Sequence, residues 1–179
     1  YKVVVDDVGA GYKATKHLIK NGRKKIALIT TPNHVNVGAL RRQGYEKALI
    51  EEYIKADKDF IVEVDEKKDI KPQIEKLFDK GIDAIFAVNE IYAANAMRIA
   101  KEQNLKVPKD ISIIGFTDGL ISEYSSPSIT TVAQHGFTMG KQAVELLIDR
   151  IENESEVYKP KKIVISSDLK LRESTKPSS

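Results

Sequence analysis

"DAIFAVNEIYAANAMRIAKEQN" (83–104), followed by "LKVPKDISIIGFTDG" (105–119), is the stretch on which the fold turns. DAIFAV is a continuous apolar run that reads as a strand. NEIYAANAMRIAKEQN is a helix with an alanine-rich packing face. A proline-led turn then opens DISIIGF (110–116), a second apolar strand, which stops abruptly in Thr117, Asp118 and Gly119. Continuous apolar strands separated by amphipathic helices form a parallel sheet covered on both faces, joined by right-handed crossovers.

The same alternation runs outward in both directions. "YKVVV" is a short β-branched strand, and the helix after it carries Ala14, Leu18 and Ile19 on one face, with Gly22 where a helix C-terminus favours glycine. "KIALIT" (25–30) is a strand, 38–53 a helix with Leu40, Gly44, Ala48 and Leu49 on one side, and "FIVEV" (60–64) a strand. A helix near 70–80 opens around Pro72 and closes at Gly81. The segment 117–136 is the longest without helical period, holds a β-branched piece, "SITTV", and suits a crossover between two lobes. A long helix is expected from about 137 to 152, with Phe137, Val144, Leu147, Ile148 and Ile151 at helical spacing. Two short strands, "KIVIS" and "LKLRE", and a polar tail end the chain.

Composition narrows the function classes. The chain has 179 residues, 41% hydrophobic and 31% charged, which is globular composition. It contains no cysteine, so disulfides, thiolate catalysis and cysteine-ligated metals are excluded. No apolar run approaches the ~18 residues of a membrane span. The formal net charge is +3, and the basic clusters at 20–25 and 159–162 read as solvated loop ends, so direct DNA contact is not expected of this chain. The chain opens on "YKVVVDD" without an initiator methionine, and the expectation is a fragment or a processed product.

In open α/β sheets ligands sit beyond the carboxyl ends of the strands. The polar residues at those ends are Asp6, Asp7, Thr30, Thr31, Asp65, Asn89, Glu90, Thr117 and Asp118. Such short hydrogen-bonding groups suit a polyhydroxylated or similarly neutral molecule better than a phosphate. Asp6 and Asp7 are expected to cap the helix that follows; Asn89 can cap, bind a ligand, or do both. Arg41 and Arg42 lie near a helix start, where the dipole disfavours cations, and read either as ligand contacts or as partners in surface salt bridges. Enzyme signatures are missing: "GAG" (9–11) lacks dinucleotide spacing, and there is no phosphate loop or nucleophile elbow. His17, His34 and His135 are scattered without metal-ligand spacing, and His17 reads as a surface or packing residue.

The segments "VDDVGAGYKATKHLIKNGRKKIALIT", "RRQGYEKAL", "DAIFAVNEIYAANAMRIAKEQNLKVPKDISIIGFTDG", "SPSITTVAQHGFTMGKQAVELLI" and "LKLREST" together resemble the effector-binding region of LacI/GalR-type bacterial transcription regulators, in order and spacing across nearly the whole chain. The resemblance implies a periplasmic-binding-protein-like α/β fold of two lobes with three crossovers, one lobe complete and one partial. The implied division is 1–23 in a partial N-terminal lobe, 24–133 in the C-terminal lobe, 134–167 returning to the first, 168–175 as a final strand in the C-terminal lobe, and 176–179 as a tail. The implied effector-binding residues are Arg41, Asn89, Thr117, Asp118 and Gln134. Thr117 stands where the family usually has an aspartate. Asp118 follows one residue on, where alternation turns it elsewhere and a structural capping role is expected.

The resemblance further implies a cytoplasmic homodimer, not an enzyme, that binds a small metabolite such as a sugar or sugar derivative in the inter-lobe cleft. It would reach DNA only through an N-terminal helix-turn-helix domain not contained in this sequence, with no cofactor, metal or membrane. The alternatives are a secreted solute-binding protein of a sugar transporter and, disfavoured by the missing motifs, an α/β enzyme using the same cleft.

Overall fold

The computed structural model describes residues 1–32, 34–65, 68–153 and 160–175. The tail expected at 176–179 and Lys159 of the second basic cluster lie outside the described residues. The element order is β1 (Lys2–Val5), α1 (Asp7–Lys20), β2 (Ile26–Thr30), α2 (Asn36–Glu51), β3 (Ile61–Glu63), α3 (Lys71–Asp79), β4 (Ala84–Ala87), α4 (Glu90–Glu102), β5 (Ser112–Phe116), α5 (Leu120–Tyr124), β6 (Thr130–Ala133), α6 (Gly136–Glu152), β7 (Lys162–Ile165) and β8 (Asp168–Lys170). Short 3-10 turns lie at Lys58–Phe60 and Glu173–Thr175.

The apolar strands collect into a six-stranded sheet of order β3-β2-β4-β5-β6-β8. Its first five strands are parallel, with Ile29 opposite Ala87, Ile85 opposite Ile113 and Ile114 opposite Thr130. β8 closes the edge antiparallel to β6. Strands β2, β4, β5 and β6 are buried along their whole length, because helices cover both faces. β3 lies to one side of β2 and β4 to the other, so right-handed crossovers put α2 on one face and α3 and α4 on the opposite one. β1 and β7 form a separate parallel ribbon, with Val3 opposite Ile163.

The expected division at residue 23 does not match the packing of α1. Its apolar face, Ala10, Ala14 and Leu18, belongs to the same core as Leu28, Tyr45 and Phe86. Gly11 and Gly44 let α1 and α2 approach closely: a Cβ on Gly11 would strike the Arg41 carbonyl, and one on Gly44 the Val8 carbonyl. The packing division therefore runs through Asp6, directly after β1. At the other end of α1 the chain closes as expected, with Gly22 at φ +82 and Arg23 N donating to the Leu18 carbonyl at 3.1 Å.

The segment 117–136 is also more ordered than its composition suggested. It holds the five-residue α5, too short for a helical period to emerge, and β6, whose Thr130 and Thr131 are fully buried. The chain passes between the two units three times: after β1, after β6 and between β7 and β8. These passages are tied together. Asp6 N donates to the Ile165 carbonyl at 3.1 Å, Lys13 Nζ to the Ser167 carbonyl at 2.7 Å, and His135 Nε2 lies 2.8 Å from Asp168 Oδ2.

Candidate functional site

Arg41 organises the carboxyl-end rim of the sheet. Its position in α2 turns the guanidinium inward, and the residue is only 6% exposed. Nε donates to Asp7 Oδ1 at 2.8 Å and Nη1 to the Val88 carbonyl at 2.5 Å. Its Cζ sits 3.3 Å from the centroid of the Phe116 ring. Burial lowers the guanidinium pKa, and the neighbouring Asp7 carboxylate works against that. A planar donor held on three sides offers its remaining N–H groups in a fixed direction.

Asp7 departs from its expected role. Asp6 alone caps α1, its Oδ1 accepting from Gly9 N at 2.9 Å. Asp7, one residue on, faces inward, where the Arg41 charge compensates its burial. The structure likewise answers the open reading of the two arginines: Arg41 makes a buried ion pair, while Arg42 pairs with Glu46 and Glu63 on the helix surface.

Val3, Val4, Val5, Asp7, Val37, Arg41, Gln134 and Met139 line a cavity of about 280 Å³. It lies where β1 and α6 of the small unit meet α2 and the end of β6. Arg41 and Gln134 thus share one wall-lined space, and Gln134 has no hydrogen bond to another described residue. Asn89 and Thr117 are held close to Arg41 through the chain: Val88, its acceptor, precedes Asn89, and Phe116, its ring partner, precedes Thr117. Asn89 caps α4, its Oδ1 accepting from Tyr92 N at 2.8 Å, which leaves its amide nitrogen uncommitted among the described residues. Thr117 donates its N–H to the Val132 carbonyl at 3.0 Å and adopts φ +78, a left-handed conformation that a β-branched residue rarely takes.

Asp118 does not cap α5; Gly119 occupies that position. Instead its carboxylate accepts from Arg172 Nη2 at 2.6 Å, from Lys170 Nζ, and from Thr131 Oγ1 at 3.3 Å. Burial raises its pKa, but the bonds from Lys170 and Arg172 outweigh that and hold it below the usual carboxylate range. Its oxygens are engaged within the protein, so it fixes the segment after β8 to the sheet rim. Sequence reasoning placed Asp7 at the rim but gave it a capping role, and it missed Phe116 and the valine wall of β1. The signal for the true role of Asp7 was the doublet Asp6-Asp7, since a helix start needs only one cap. Two threonine hydroxyls at the end of β2, Thr30 and Thr31, are buried against Gly38 with no protein partner among the described residues.

Residues 15–175 match the family described as "periplasmic binding protein-like domain". The chain belongs to that family. Over 179 residues it is 34% identical to the HTH-type transcriptional repressor PurR of Haemophilus influenzae, a match spanning 97% of this chain and 53% of the relative. Among solved structures it is similar to a transcriptional regulator CelR–cellobiose complex, at 31% identity and a TM-score of 0.88 over 96% of this chain and 53% of that one. It is also similar to a LacI-family regulatory protein from Chloroflexus aggregans, at 27% identity and a TM-score of 0.88, covering 96% and 62%. The expected kinship with LacI-type regulators therefore holds at the level of fold and relatives. The chain spans about half the length of the curated relatives it matches. Among the described residues no helix is long and apolar enough to cross a membrane.

Proposed function

We propose that this chain is the effector-sensing and dimerisation core of a LacI-type transcription regulator, which binds a small neutral polyhydroxyl metabolite, a sugar or sugar derivative, between its two units. The observation that carries this reading is the Arg41 guanidinium, buried and held by Asp7, Val88 and Phe116 on the wall of a cavity it shares with Gln134. Val3, Val5, Val37 and Met139 supply apolar walls against which the C–H face of a sugar ring can pack, while Arg41 and Gln134 supply directed hydrogen bonds. A similar regulator was solved with cellobiose, which supports the ligand class.

Effector binding favours one relative placement of the two units, because its contacts come from both. Operator binding resides in a domain outside this chain, and the protein acts in the cytoplasm. Ile91 on α4 and Leu120, Ile121 and Tyr124 on the neighbouring α5 are exposed apolar residues that form the surface for a second copy.

The test is thermal-shift and calorimetric screening of the intact protein against mono- and disaccharides and nucleobases. A ligand at a hundred times its Kd stabilises the native state by about 2.7 kcal/mol. Gln134→Ala is the cleanest probe, since its side chain bonds no described protein group. Loss of binding with an unchanged ligand-free melting temperature supports the site, and unchanged affinity refutes it.

A further inference from the structure

The two units face each other across the cavity but share little packing. α6 has no buried residue, and it rests on the β1–β7 ribbon rather than on the large sheet. Apolar burial therefore does not fix how the small unit stands against the large one, and that task falls to the three passages between them. Passages one and three are joined through the backbone, where Asp6 N donates to the Ile165 carbonyl at 3.1 Å. α1 holds passage three as well, Lys13 Nζ donating to the Ser167 carbonyl at 2.7 Å. Passage two is Gln134 and His135, between β6 and α6.

His135 takes φ +54 and ψ +51 at the N-cap position of α6, and its side chain bonds no N–H of that helix. Histidine tolerates the left-handed region better than most residues, but the conformation still costs energy that the surroundings must offset. The ring is turned instead to passage three, where Nε2 lies 2.8 Å from Asp168 Oδ2. A carboxylate oxygen only accepts, so Nε2 carries a proton and donates it. Asp168 is itself held in register, opposite Ala133 in the β6–β8 ladder. Ala133 and His135 are thus both tied to Asp168, one through the strand pairing and one through its side chain, and Gln134 lies between them. Gln134 bonds no described residue of its own, yet the peptide that carries it is bracketed on both sides. The His135 carbonyl in turn accepts from Met139 N at 3.0 Å, which fixes the first turn of α6 and with it a second residue of the cavity wall.

We propose that His135 is a positioning residue of the cavity: through Asp168 it holds Gln134 and the start of α6 in place and thereby sets how the two units face each other. The Asp168 side chain is 72% exposed, so the bond adds little to global stability. Its effect is directional. Without it the left-handed turn loses its anchor, and the wall formed by Gln134 and Met139 moves relative to Val37 and Arg41 on α2. The proposal goes beyond the effector reading and is tested without a ligand, so a failure of every saccharide to bind leaves it standing.

The chain has no cysteine, so nitroxides can be attached through Lys101→Cys on α4 and Lys141→Cys on α6, both exposed positions. Double electron–electron resonance on the intact protein, diluted with unlabelled copies, then reads the distance between the units. His135→Asn keeps a residue that tolerates the left-handed turn but is too short to reach Asp168, and Asp168→Ala removes the acceptor. Each is expected to broaden or shift the distance distribution while moving the melting temperature by less than about 4 °C. The double variant is expected to go no further than either single one, because both remove the same bond. His135→Gln, whose amide donates from nearly the position of Nε2, is expected to restore the wild-type distribution. An unchanged distribution in both single variants, additive broadening in the double variant, or His135→Gln as broad as His135→Asn overturns the proposal. Should His135→Asn not fold, Asp168→Ala decides against Asp149→Ala, which breaks an exposed ion pair within the small unit. Broadening in Asp168→Ala alone supports the positioning role, and equal broadening in both overturns it.

Discussion

Helices α1 and α6 follow a strand in the same way and read alike as sequences, yet they end in opposite environments. α1 buries Ala10, Ala14 and Leu18 completely and lies so close to α2 that Gly11 and Gly44 admit no side chain. α6 has no buried residue: Phe137 is 89% exposed, Leu147 60% and Ile151 64%. The difference lies in what each helix meets. α1 crosses over to a six-stranded sheet and a second helix, whereas α6 rests on a two-stranded ribbon. Apolar periodicity marks a face able to be buried; the surface opposite it determines whether burial happens.

The ion pairs of the two units give the largest expected contrast. Asp7→Ala leaves Arg41 buried and unpaired and should cost about 3–5 kcal/mol in urea denaturation, whereas Asp149→Ala, which removes the exposed partner of Lys161, should cause no measurable loss. Equal effects would break the comparison. Next come the apolar faces. Leu18→Ala should cost about 2–5 kcal/mol and Leu147→Ala less than about 0.5 kcal/mol. A large cost at Leu147 would mean that another surface covers α6 in solution.

The glycines sharpen the contrast through its sign. Gly44→Ala forces a Cβ into the Val8 carbonyl and should destabilise by about 1–3 kcal/mol. Gly140→Ala, mid-helix in α6 with open space around it, should stabilise by up to about 1 kcal/mol. The smallest effect is acid-dependent. Asp118 has a depressed folded-state pKa, so its stabilisation is present above about pH 4 and lost as pH falls further. Asp118→Asn should flatten the stability–pH slope below that point, and an unchanged slope would count against its grip on Lys170 and Arg172.

Much of the fold was legible because strands β2, β4 and β5 are apolar without interruption, which only two-sided cover explains. The site was legible in part. Arg41 stood out because a cation near a helix start needs a compensating partner, and Gln134 followed from family resemblance. Asp7 was obscured by its neighbour, since either aspartate could serve as the cap. Asp118 was misread because its partners, Lys170 and Arg172, lie some fifty residues away in sequence.

Sequence periodicity by itself determined the strand–helix alternation, the parallel sheet and the polar rim, since each depends on residues within one element or at its end. Tertiary structure alone decided that α1 packs with the large sheet, that α6 stays exposed, and that Asp7 and Phe116 hold Arg41. Those outcomes depend on contacts between elements distant in sequence, and no local pattern encodes a partner that the chain supplies only on folding.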